Sequence, residues 1–143
     1  MICVVRVRGR IGLRVDVREA LRMLHLTRVN HCIITNNTLA LHKVKDYVTW
    51  GPVGTETIAE LIEKRGKLAG NRPITQEFLK EHGFEDFLSL ARAIENGAKL
   101  EDIKPVFRLS PPRKGYEGTK RSFVEGGSLG KRDNMDELIR RMI

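Results

Sequence analysis

The chain opens on a short apolar run, Ile2 to Val7, whose β-branched content predicts a strand. The run ends in alternation: Val5 and Val7 face one way, Arg6 and Arg8 the other, so both arginines are expected on a polar side. Gly9 to Gly12 reads as a turn. Val17, Ala20, Leu21 and Leu24 then recur at helical spacing, with Asp16 as N-cap or first-turn acid. Cys32 to Ile34 predicts a second strand and Asn36-Asn37-Thr38 a turn. A short helix around Leu39 to Lys45 follows, and then a third strand, Tyr47 to Trp50, ended by Gly51-Pro52. Short connections imply one small sheet with both helices on one face, which leaves the other face for a partner.

The middle of the chain is helical. A helix runs from Thr55 or Thr57 to about Arg65, and Thr57 with Glu60 fits a capping box. Gly66, Gly70, Asn71 and Pro73 break it. Thr75 to His82 and Glu85 to Glu95 are two shorter helices about Gly83. From Lys104 the texture changes. Phe107 to Leu109 predicts a last short strand, and residues 111–132 then hold two prolines, five glycines and six Lys/Arg with no sustained period. That composition predicts a segment disordered when free and ordered on a partner. Asn134 with Glu137 caps a final helix. The fold class is α/β in the α+β sense. Its parts are a β-α-β-α-β core over 1–54, a helical segment over 55–103 packed on that core, and a basic extension over 104–143.

Charge changes the picture. The formal net charge is +8, and it is concentrated at the ends: residues 1–30 carry +5, 31–103 carry −2 and 104–143 carry +5. Two basic ends around a neutral-to-acidic middle suggest two segments sharing one polyanionic surface. Solvated surface charge explains that asymmetry less well. Two cysteines, Cys3 and Cys32, lie in apolar runs and read as buried thiols in a reducing compartment. No apolar run approaches a membrane span, so a cytoplasmic protein is expected.

Catalytic readings fail one by one. Gly126-Gly127-Ser128-Leu129-Gly130-Lys131 resembles a phosphate-binding loop, but Glu125 replaces the first glycine and Arg132 the magnesium-binding hydroxyl. Backbone amides there remain candidates for an RNA phosphate. The four histidines are scattered, and His31 and Cys32 on a strand point to opposite faces, so no metal site or cofactor is expected. Residues 74–97 mimic a helix-turn-helix, but the second helix offers Glu85, Asp86 and Glu95 with Arg92 as its only base. Such a surface repels DNA, and a helical pair packed on the core fits better. The basic ends carry the chemistry. Arg6, Arg8, Arg10 and Arg14 sit on a strand and loop, and Arg28, Asn30 and His31 open the second strand. Arg113, Lys114, Lys120, Arg121, Lys131 and Arg132 thread the Gly/Pro-rich segment. Lys and Arg neutralise phosphates, and Arg also stacks on exposed bases. Tyr116 and Phe123 are stacking candidates, although packing under the loop fits slightly better.

Taken together, VVRVRGRIG, LRMLHLTRVNHC, KVKDYVTWG, KPVFRLSPPRKGYEG and EGGSLGK resemble a family. It is the universal large-subunit ribosomal protein numbered thirty in bacteria and seven in eukaryotes, in its archaeal form. The resemblance covers nearly the whole chain. It implies a β-α-β-α-β sandwich related to ferredoxin-like folds, with the helical middle and Gly-rich tail as the archaeal and eukaryotic extension. It also implies a non-enzymatic structural role on large-subunit ribosomal RNA near the docking region of the 5S RNA, beside neighbouring ribosomal proteins, with no membrane partner. Nothing in the chain points to a homo-oligomer. The RNA-facing residues would be Arg8 and Arg10, Arg28 to His31, and the basic residues from Arg113 to Arg132. TNNTLALH is shorter than the resemblance implies and leaves little room for the second helix. A stand-alone RNA chaperone or ribosome biogenesis factor is the alternative.

Overall fold

The computed structural model describes residues 1–99 and 101–143. Its strands are β1 (Ile2–Arg6), β2 (His31–Thr35), β3 (Val48–Pro52), β4 (Val106–Arg108) and β5 (Gly130–Lys131). Its helices are α1 (Val15–Met23), α2 (Leu41–Val44), α3 (Thr55–Arg65), α4 (Gln76–Glu81), α5 (Phe87–Glu95) and α6 (Asp136–Met142). The strands form one sheet in the order β4-β2-β1-β3-β5. The first three pairings along that order are antiparallel, and β3 with β5 is parallel. The α+β class and the three N-terminal strands match the sequence pattern. The second helix is a single turn of four residues, as the short TNNTLALH segment requires.

The alternation of β1 feeds two cores. Val4, with Ile33 and Val48, packs under Val17 and Leu21 of α1 and Leu41 and Val44 of α2. Cys3, Val5 and Cys32 point the other way, into a cluster with Ile58, Leu61 and Ile62 of α3, Leu90 of α5 and Leu138, Ile139 and Met142 of α6. The expectation of a free sheet face is therefore wrong: α3, α5 and α6 cover it. The reason is that their apolar stripes have no other surface to bury against. Cys3 and Cys32 are free, buried thiols on adjacent strands, 2.9 Å apart. Burial pushes the Cys32 thiol well above its ordinary range, which leaves it a core side chain rather than a nucleophile.

The side-chain caps in the helical middle are not the one the sequence suggested. Thr75 caps α4, and Asp86 with Ser89 forms a capping box on α5. Thr57, expected to cap α3 with Glu60, is buried inside that helix and caps nothing. The N-cap of α3 is Gly54, whose N–H donates to Asp136 Oδ1 at 2.9 Å. An acid from the end of the chain thus stabilises the helix start that the local Thr57/Glu60 pattern predicted. Leu90 and Ala91 of α5 are buried in the α3-side core, so the helix-turn-helix mimic is core packing.

Residues 110–132 are folded onto the sheet, contrary to the disorder expected from their composition. Gly127, Ser128 and Leu129 are buried, and their N–H groups donate to Ser122 O, Gly118 O and Arg121 O. Arg132 N–H donates to Trp50 O at 2.7 Å, where Gly51 lets the backbones meet: a Cβ at Gly51 would stand 2.5 Å from Arg132 O. Amide exchange of the free protein is expected to show protection at Ser128, Leu129 and Arg132 well above that of exposed loops. Exchange at the unprotected rate there would restore the disordered reading.

Candidate RNA interface

Arg6 is not a surface base. It is 1% exposed, and its guanidinium donates to Arg8 O at 2.9 Å, Leu26 O at 2.7 Å and Gly9 O at 3.0 Å. A central strand covered on both faces turns every side chain inward, so Arg6 survives burial only by meeting these carbonyls. Burial, then the nearby Arg10 charge, lowers its pKa from the ordinary arginine value; it remains a cation. Its role is to tie residues 8 and 9 of the loop to Leu26, just beyond α1.

That loop presents the exposed cations. Arg8 lies over the Tyr47 ring, 5.2 Å from its centroid. Arg10, Arg14 and Arg28 are exposed, and Arg14 makes only a solvent-facing pair with Asp16 at 3.4 Å. Arg10, Arg18 and Arg22, with Arg6 at the base, line one groove of about 180 Å³ floored by Leu13, Leu21 and Leu26. Arg18 and Arg22 were not singled out from the sequence, although the signal was available. Arg14, Arg18 and Arg22 recur every four residues, which puts them along one side of α1, beside the buried Leu21 that floors the groove.

The rest of the second-strand cluster is built into the fold. Asn30 takes a positive φ of 65° and accepts the Tyr116 hydroxyl on Oδ1 at 2.6 Å. His31 is 9% exposed, and its Nδ1 has no hydrogen-bond partner. Burial holds its pKa below 6.5, with Arg108, Arg28 and Arg6 adding to the effect. The folded state therefore resists a proton that the unfolded state accepts. The stability this contributes is complete above 6.5 and is lost as pH falls through that value toward the lower folded pKa. We expect the thermal midpoint to drop between about pH 7.5 and about pH 5.5, and less so for His31→Gln.

In the tail, Arg113, Lys114, Lys120, Arg121 and Lys131 are exposed, and Arg132 is not. Arg132 donates to Thr49 Oγ1 at 2.9 Å and Ser128 O at 3.4 Å and lies over the Phe123 ring. Phe123 is therefore occupied by Arg132. Tyr116 is half-buried, and burial raises its pKa to about 12. Both aromatics pack within the fold rather than standing free for bases. The 126–129 amides are likewise used by the loop itself and offer no cradle for a phosphate. Among the described residues no cluster of His, Cys, Asp or Glu could hold a metal, and no helix is long and apolar enough to cross a membrane.

The family model for Ribosomal protein L30p/L7e matches residues 2–48, which hold β1, α1, β2 and α2 and begin β3. Similarity extends past that stretch. The large ribosomal subunit protein uL30 of Methanosphaera stadtmanae is 44% identical over 152 aligned positions, with all of both chains covered. The chain belongs to the L30p/L7e (uL30) family. The uL30 protein of Methanococcus vannielii is 46% identical with 98% of this chain and 97% of its own covered. That of Thermoplasma volcanium is 40% identical, with 100% and 93% covered. This uL30-family chain is thus of the archaeal form, non-enzymatic, with its helical middle and tail shared by full-length relatives.

Proposed function

We propose that the protein is a structural constituent of the large ribosomal subunit, in the cytoplasm, holding large-subunit ribosomal RNA against the arginine face of α1 and the loop before it. The observation that carries this reading is the Arg10–Arg18–Arg22 groove on a chain whose full-length relatives are large-subunit proteins. Arg8, Arg14 and Arg28 extend that face. Arg113, Lys114, Lys120, Arg121 and Lys131 form a second anionic contact on the docked tail. Asn30, His31 and Arg132 support these surfaces from within. Placement near the 5S RNA, and packing against neighbouring ribosomal proteins, follow from the family resemblance. So does kinship of residues 1–54 with ferredoxin-like folds, which the location of α1 and α2 on one sheet face supports. In functional terms 1–54 is the RNA-binding core, 55–103 its helical buttress and 104–143 the basic extension.

Sedimentation of the tagged protein from an archaeal lysate tests the assignment. Recovery in the large-subunit peak through a high-salt wash is expected. Recovery at the top of the gradient or only in precursor particles would favour a chaperone or biogenesis factor. At single residues, Arg10→Ala or Arg28→Ala should weaken binding to large-subunit ribosomal RNA and flatten the salt slope by about 0.7 to 0.9. Unchanged slopes for both would place the RNA elsewhere.

A further inference from the structure

The β3–β5 pair builds a second groove that the arginine face does not include. Trp50 and Lys131 are register partners across the parallel ladder, so their side chains leave the sheet on the same face. Trp50 is half-buried against the α1/α2 core. Lys45, at the end of α2, and Lys120, on the docked tail, complete the basic side of a groove of about 400 Å³. Asp46 and Glu125 line it too. All three lysines are exposed, and among the described residues none is in an ion pair.

We propose that this groove receives a single unpaired nucleotide of RNA, its base against Trp50, its phosphates on Lys45, Lys120 and Lys131, and its base-edge N–H groups toward Asp46 and Glu125. The proposal rests on the RNA-binding reading above and adds a defined subsite to it. Each part of the groove answers one part of a nucleotide. An indole offers a flat apolar surface for a base of any identity. Lysines neutralise phosphate without demanding a fixed geometry. Two carboxylates disfavour a bare phosphate ion or an acidic peptide, whereas a nucleobase brings donors to meet them. A duplex does not suit the site, because its bases are stacked on one another and only a splayed strand can present one. The groove also exists only because the tail is docked: Thr49 Oγ1 donates to Gly130 O at 3.0 Å and Arg132 N–H to Trp50 O at 2.7 Å, which brings Lys131 beside the indole.

Trp50 is the only tryptophan in the chain, so its emission reports on this site alone. The experiment titrates the intact protein with a six-nucleotide oligoadenylate, with inorganic polyphosphate as a baseless polyanion. Saturable quenching by the oligonucleotide is expected. Polyphosphate should leave the emission unchanged and displace the oligonucleotide only weakly. By anisotropy of labelled oligoadenylate, Trp50→Leu should weaken binding about tenfold and Trp50→Phe should retain most of it. Lys120→Ala with Lys131→Ala should raise the half-saturation point and steepen its loss with salt less than in the parent. Oligoadenylate that binds without altering Trp50 emission would overturn the subsite, while large-subunit RNA binding through the arginine groove would stand. Failure of the large-subunit RNA itself to bind would instead overturn the reading on which it rests. The quenching measurement needs no variant, so a substitution that unfolds the chain does not blur the result.

Discussion

Arg6→Ala is expected to destabilise the protein by roughly 3 to 5 kcal/mol, measured by urea unfolding, and to do so before any effect on RNA is considered. Three backbone carbonyls, Arg8 O, Gly9 O and Leu26 O, take their bonds from this one guanidinium. Removing it leaves the buried Leu26 O without its donor, takes away the tie to the part-buried carbonyls of Arg8 and Gly9, and leaves a cavity at the base of the groove. Arg6→Lys should recover little, because one ammonium cannot span three acceptors that a planar fork reaches together. A loss below about 1 kcal/mol for alanine would show that the loop is held by something else, the Val7 and Arg8 amides on Tyr47 O being the first alternative.

The opposite behaviour is expected from the arginines of the groove. Replacing Arg10, Arg18 and Arg22 together with alanine should cut affinity for large-subunit ribosomal RNA about a hundredfold near physiological salt and lower the salt slope by about two to three. The fold should tolerate this. These side chains are exposed, the Arg22–Glu19 pair at 2.9 Å is a solvent-facing one, and alanine favours the helix at positions 18 and 22. A filter-binding series across salt, with an unfolding midpoint taken in parallel, separates the two cases. Unchanged slope with unchanged midpoint would move the RNA to the tail lysines.

Arg6 and the groove arginines show where the sequence was readable and where it was not. Strands built on Ile2 to Val7 and Cys32 to Ile34 follow from β-branched runs, and α1 follows from Val17 and Leu21, because those signals are local. Arg6 could not be placed this way. In an alternating strand an arginine reads as solvent-facing, and only the helices laid over both faces reverse that. β5 is two residues long with a glycine, too short to carry any period. The bond that holds Gly54 at the start of α3 comes from Asp136, and the inward turn of Arg132 depends on Thr49; in both cases the partner is distant in sequence. The four-residue interval of Arg14, Arg18 and Arg22 was legible on one helix and needed only the question of which face it occupied.

The order in which the chain is made gives the covered sheet face a further meaning. Cys3, Val5 and Cys32 are synthesised before α3, α5 and α6, and α6, with Leu138, Ile139 and Met142, closes their core. Until those residues leave the peptide exit, the first strand has an apolar side with an incomplete cover. Its other side, under α1 and α2, can pack as soon as residue 48 or so has emerged. Folding during synthesis is therefore staged. The arginine face, carried by the part that closes first, is in place while the second core still waits for α6.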